Sequence, residues 1–228
     1  MIYSEIYSFE DLYPQISNDD GWGIDIRHVY ILYNILLSCS FKRVLEIGTH
    51  NGFSTTAFIE AVKRNAIDEI HLCDIRFSEQ IKNICSIYSN IELHEMKSVE
   101  YLKDAPQFDF ALLDGSHISE DVQDEFEYLS MNKTPTYLLH DVNTQLLSES
   151  KNTPWYDGPM LLKNRLLSSN NWFCLEDSLF RNHEKTERGL FFATKDRQIY
   201  LHALSCFNYW SKACLLYTSP SPRDYAAS

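Results

Sequence analysis

Seven short apolar runs are spaced along the chain, and stretches with helical periodicity fill the gaps between the first five. The runs cover 43–47, 69–75, 91–96, 108–113, 136–139, 172–175 and 189–194. They are too short for buried helices and rich in Val, Ile, Leu and Phe, so they read as buried strands. The intervening stretches 54–64, 78–88, 99–103 and 119–130 read as helices, as do 24–40 before the first strand, 160–167 and 198–212. In 24–40 the residues Val29, Leu32, Ile35 and Leu36 recur on one helical face. Strands alternating with helices in this way predict an α/β fold with a mostly parallel sheet. The last two runs lie close enough in sequence to pair antiparallel.

The chain has 228 residues, which suits one domain with its own core. A formal net charge of -12 opposes nucleic-acid phosphates and anionic membrane surfaces as the main partner, while leaving a small anionic ligand open. The six cysteines form no CxxC pair, so a reduced, cytoplasmic setting is expected rather than a disulfide framework or a zinc site. The acidic start MIYSEIYSFEDLYPQ lacks the basic flank and apolar core of a signal peptide. No apolar run approaches the roughly 18 residues of a membrane span.

Ligands of an open α/β sheet bind outside the carboxyl ends of its strands. The first strand presents Glu46, Gly48 and Gly52 there, and the second presents Asp74. The third presents Lys97 and Ser98, the fourth Asp114-Gly115-Ser116-His117, and the fifth His140-Asp141-Val142-Asn143. Gly48 lets the backbone leave the strand sharply, and Gly52 lets the next helix begin close to a ligand. The exposed amides of that helix start favour a carboxylate or another polar group. Asp74 is placed to accept both hydroxyls of a ribose. Together these features describe a nucleoside-containing cofactor. The glycine spacing is neither G-x-G-x-x-G nor that of a P-loop, which disfavours a dinucleotide oxidoreductase.

The pattern E-x-G-x-x-x-G-x-S instead resembles motif I of the class I S-adenosylmethionine-dependent methyltransferases. Taken with FALLDGSHISEDVQDEFEYL, YLLHDV and GLFFATK, the chain is similar to the small-molecule enzymes grouped as methyltransferase domain 24, over roughly residues 41–195. The resemblance implies a single Rossmann-like, doubly wound, seven-stranded sheet with helices on both faces and an antiparallel last strand. It implies that Glu46 lies near the amino-acid moiety of S-adenosyl-L-methionine. The loop Gly48, Thr49, His50, Asn51 and Gly52, with Ser54, would wrap methionine and ribose, and Asp74 would take the ribose hydroxyls. Ser98 falls at the adenine pocket and Asp114 beneath the sulfonium. The implied reaction is methyl transfer to a small-molecule acceptor, most simply a hydroxyl.

Two routes to acceptor deprotonation stand side by side. Some relatives bind a divalent cation through acids at the fourth and fifth strand ends, here Asp114 and Asp141, and oxygen ligands favour Mg2+. Metal-dependent catechol-type enzymes carry adjacent Asp-Asn at the fifth strand, whereas this chain has His140-Asp141-Val142-Asn143. The other route uses His117 or His140 as general base, beside Asp141.

Each motif also has a plainer reading. The two glycines serve as turn residues, Asp74 as a helix cap, Asp114-Gly115 as a tight turn, and the histidines as caps or surface groups. A non-catalytic methyltransferase-like module for partner binding or regulation is the alternative function. If Asp114, His117, His140 and Asp141 converge beside the cofactor pocket, an enzyme is favoured.

The expected organisation is an N-terminal segment 1–24 that could form a lid, a domain at 25–197, a C-terminal helix at 198–213 and a tail at 214–228. Tyr3, Tyr7, Trp22, Trp155 and Tyr156 are the aromatic candidates for lid contacts. The tail, CLLYTSPSPRDYAAS, breaks every preceding pattern and resembles translated adapter sequence, so it is assigned no function. A homo-oligomer is compatible with this reading.

Overall fold

The computed structural model describes residues 24–143, 157–177 and 189–217. The aromatic lid candidates and the end of the tail lie outside the described residues. Seven strands form one sheet in the order β3-β2-β1-β4-β5-β7-β6. They are β1 (Arg43–Ile47), β2 (Glu69–Asp74), β3 (Ile91–Glu95), β4 (Phe110–Leu113), β5 (Thr136–His140), β6 (Phe173–Asp177) and β7 (Leu190–Thr194). The first five pair in parallel, and β7 runs antiparallel to both β5 and β6.

The helices are α1 (Ile26–Ser38), α2 (Phe53–Lys63), α3 (Glu79–Cys85), α4 (Ser98–Tyr101), α5 (Ser119–Met131), α6 (Gly158–Leu167) and α7 (Arg197–Tyr217). Helix α7 continues past Ala213, so the compositional break there does not end the helix.

Period-two alternation sends successive strand residues to opposite faces. Val44, Ile70, Leu72, Phe110, Leu112 and Leu138 join a core built with α1, α2 and α7. Their neighbours Leu45, Cys73, Ala111, Leu113, Tyr137 and Leu139 join the other core, with α5 and α6. Burial on both faces explains why these strands read as continuous apolar runs.

The same parity places the polar residues. Glu46 and His140 fall on the α1 face, whereas His71 falls on the opposite one. These three polar groups are buried: Glu46 at 0%, His140 at 1% and His71 at 3% exposure. Each requires partners.

Candidate active site

The turn out of β1 is built around two glycines in the left-handed region, Gly48 at φ +87° and Gly52 at φ +81°. His50 joins them at φ 45°. A β-carbon on Gly48 would lie 2.1 Å from the carbonyl oxygen of Asp114, so the first and fourth strand ends touch only because that atom is missing. The Gly48 N–H donates to the carbonyl of Cys73 at 2.9 Å, and the Asp114 N–H donates to that of Ile47 at 2.9 Å. The three central strand ends are thereby joined.

Asp74 closes the loop from the side. Its Oδ2 accepts from the Thr49 N–H at 2.8 Å and the His50 N–H at 2.9 Å, while Oδ1 accepts from the Arg76 N–H at 3.1 Å. A carboxylate has about four lone-pair sites, so some acceptor capacity remains for a ligand. Asp74, His50 and Asn51 line one cleft of about 520 Å³ together with Phe77, Lys82 and Glu95. The expected grouping of the glycine loop with the second strand's acid is therefore present. Thr49 is buried, and its hydroxyl has no hydrogen-bond partner among the described residues.

Glu46 lies behind this loop. It accepts hydrogen bonds from the hydroxyls of Ser54 and Thr55, the latter at 2.7 Å. Burial pushes its carboxyl up to about 8 despite those bonds, and the Asp114 and Asp74 charges act in the same direction. Glu46 and Ser54 thus hold each other at the start of α2. Ser98 departs from the expected geometry. Its hydroxyl donates to the buried Glu125 at 2.5 Å, and Ser98 does not line the cleft beside Asp74. Burial likewise raises Glu125 to about 7.

The fourth and fifth strand ends form a second, contiguous group. His140 Nδ1 lies 3.0 Å from Asp114 Oδ1 and 3.4 Å from Asp141 Oδ1. His117 Nε2 lies 2.7 Å from Asp141 Oδ2. Burial alone would lower His140, but the Asp114 and Asp141 charges outweigh it and raise the imidazole to about 9. Burial opposes protonation of His117 as well, and its hydrogen bond to Asp141 still raises it. Asp141 holds a left-handed backbone at φ 56°, a strained conformation of the kind that recurs at functional sites.

The expected general-base role of His140 does not fit this geometry. The side chain is buried against Asp114, so it meets no acceptor directly. His117, with 26% of its side chain exposed, is the more accessible imidazole.

Asp114, His117 and Asp141 also satisfy the geometry of a cation site, since one ligand atom from each lies within 4.8 Å of the others. The oxygens of Asp114 and Asp141 are of the kind that suits Mg2+, whereas the His117 nitrogen is a donor for transition metals rather than for Mg2+.

Sequence reasoning missed the support beneath this group. The His28 ring from α1 meets the His140 ring edge-on at 5.4 Å. Asp177 at the end of β6 pairs with Arg27 at 2.8 Å and approaches His28 Nε2 at 3.5 Å. The signal was the polar triplet Asp25, Arg27 and His28 at the start of an otherwise apolar helix.

Residues 45–141 match the family model of a methyltransferase domain. The matched segment runs from β1 to the end of β5 and contains the glycine loop, Asp74 and the group formed by Asp114, His117 and Asp141. In sequence alone, no curated protein matches the chain.

Among solved structures, the fold is similar to the O-methyltransferase TomG from Streptomyces achromogenes, involved in tomaymycin synthesis and solved with S-adenosylmethionine. That pair is 15% identical with a TM-score of 0.60, covering 76% of this chain and 81% of the other. An O-methyltransferase from Bacillus cereus, solved with S-adenosylhomocysteine, is 14% identical with a TM-score of 0.62 over 85% and 93%. MycE, a methyltransferase of the mycinamycin biosynthetic pathway solved with Mg and S-adenosylhomocysteine, is 17% identical with a TM-score of 0.51 over 75% and 50%.

Proposed function

We propose that the protein transfers a methyl group from S-adenosyl-L-methionine to a hydroxyl of a small molecule. The observation that carries this reading is one sheet edge holding both a glycine-loop cleft gated by Asp74 and a carboxylate–histidine group built on Asp114, His117 and Asp141. The contact between Gly48 and Asp114 joins the two. A non-catalytic module would have no need for that second group, whose strained Asp141 and buried His140 cost stability.

In this mechanism the cleft holds the adenosyl group, with the ribose hydroxyls on Asp74 and the amino-acid portion on the loop from Gly48 to Gly52. Methyl passes in line from the sulfonium to the acceptor oxygen, so alignment and proton removal are the protein's tasks. His117 faces the acceptor and takes its proton, while Asp141 fixes the imidazole and offsets the charge it gains. His140 is a positioning residue that holds Asp114 and Asp141 in register from below. A divalent cation, if held by the carboxylates of Asp114 and Asp141, would lower the acceptor hydroxyl's pKa as a Lewis acid, with His117 still the base.

A reducing, cytoplasmic setting suits the five described cysteines, all of which are thiols. No helix among the described residues is long and apolar enough to cross a membrane. Titration calorimetry with S-adenosylhomocysteine tests the proposal. Binding in the micromolar range is expected, and no heat at sub-millimolar ligand from folded protein would overturn it.

A further inference from the structure

A second cluster of metal-ligating side chains lies on the far face of the sheet, away from the carboxylate–histidine group. Parity places His71 of β2 and Glu92 and His94 of β3 on the α4 face, where Tyr101 covers them. His71 Nδ1 is 3.0 Å from His94 Nε2 and 3.7 Å from Glu92 Oε2. His94 Nε2 is 3.8 Å from the same Glu92 oxygen, which closes a triangle. Zinc–nitrogen and zinc–oxygen bonds of about 2.1 Å in a tetrahedron put neighbouring ligand atoms about 3.4 Å apart. The observed edges bracket that value.

The hydrogen bonding around His71 points the same way. Its Nε2 is 2.9 Å from Glu69 Oε1, and Glu69 is held by Arg43 at 2.5 Å. A carboxylate accepts there, so Nε2 carries the proton and Nδ1 presents its single lone pair. That lone pair is approached by His94 Nε2 and, at 2.7 Å, by the Tyr101 hydroxyl. Two polar groups thus converge on one ring nitrogen, and a cation at the centre of the triangle takes up the lone pairs of both imidazoles. A carboxylate behind a histidine, fixing its tautomer and ring direction, is the usual outer shell of a metal-bound imidazole. Tyr101 stacks on His94 at 4.0 Å and limits that ring's rotation.

We infer that His71, His94 and Glu92 form a binding site for a divalent transition metal of the zinc class. Two imidazoles select such a metal over Mg2+ or Ca2+. The fourth position goes to Tyr101 or to water entering beside the exposed Glu92. On binding, His94 takes the tautomer with its proton on Nδ1, and its Nε2 lone pair coordinates the ion. The consequence is structural. Strand β3 is a sheet edge whose residues are all at least partly exposed. The ion pins β3 to β2 and leaves the neighbouring Glu95 fixed at the rim of the Asp74 cleft.

The test uses the full chain stripped with EDTA, titrated with Zn2+ against a chromogenic chelator and counted by mass spectrometry of bound metal. His94→Gln and Glu92→Gln lie at a partly exposed edge and preserve shape. Asp141→Asn disables the other cluster. The proposal expects one zinc per chain at this site, a Kd in the low micromolar range or tighter, and a higher Tm with zinc. Either edge substitution should weaken that equivalent at least tenfold with an unchanged far-ultraviolet circular dichroism spectrum, and Asp141→Asn should leave it in place. Zinc that survives His94→Gln and disappears in Asp141→Asn belongs to the other cluster and overturns the inference, as does an absence of bound zinc.

Discussion

Gly48 and the backbone of Asp114 occupy one shared space: a β-carbon on the first would fall 2.1 Å from the carbonyl oxygen of the second. Neither partner has slack, because the obstacle is main chain and the glycine sits at φ +87°. Gly48→Ala should therefore destabilise the protein by about 3–5 kcal/mol, combining left-handed strain with overpacking. Urea denaturation should register this as a lower midpoint. A loss below about 1 kcal/mol would show that the strand ends are not so tightly joined.

Asp74 both shapes the loop and, in the proposed function, holds ribose. These roles separate by substitution. Asp74→Ala leaves the Thr49 and His50 amides without their acceptor and should cost about 1–3 kcal/mol. Asp74→Asn keeps one oxygen for the loop but replaces an acceptor with a donor toward the ligand. It also gives up the bond from the Arg76 N–H, so its stability should fall, though less than that of Asp74→Ala, while calorimetry shows S-adenosylhomocysteine binding at least tenfold weaker.

The sheet was legible because each central strand is apolar on both faces and stops at a polar or glycine residue. Boundaries moved where polar side chains were doing buried work. The strand expected from Phe108 begins at Phe110, since Asp109 instead turns to accept from the Lys42 and Arg43 amides at 2.7 and 3.0 Å. The strand expected to end at Leu175 runs on to Asp177, an acid that reads as a turn but is buried against Arg27. The glycine loop and the acids at the strand ends were readable from spacing. The commitment of Ser98 to Glu125 and the support of His140 by His28 were not. Both join residues far apart in sequence, and no local pattern encodes such pairs.

His117 and Asp141 separate catalysis from cofactor binding. With a hydroxyl acceptor that the parent protein methylates, His117→Ala should lower kcat by about 10²–10⁴-fold, the range of a general base. Asp141→Asn should lower it in the same direction, through loss of the 2.7 Å contact that orients the ring. S-adenosylhomocysteine formation, followed by chromatography, provides the rate. Affinity for S-adenosylhomocysteine should remain within a few-fold of the parent, and full activity in His117→Ala would remove the residue from the mechanism.

Glu46 makes stability depend on pH. Its folded carboxyl titrates at about 8, whereas the ordinary value is 4.5. Between those values the folded state holds a proton that the unfolded state has released, so unfolding becomes easier as pH rises. The stabilisation is complete below about pH 4.5 and is lost as pH passes through 8. Glu125, raised to about 7, acts in the same direction over a narrower window. One such group contributes a slope of about 1.4 kcal/mol per pH unit within its window. Glu46→Gln retains a carbonyl to accept from Ser54 or Thr55 and removes the titration. Thermal melts from pH 5 to 8 should show Tm falling steeply in the parent and less steeply in Glu46→Gln, with the curves close at pH 5 and separating toward pH 8, where the variant is the more stable. Parallel curves would mean that Glu46 is already ionised at pH 5, with its two hydroxyl donors outweighing the cost of burial.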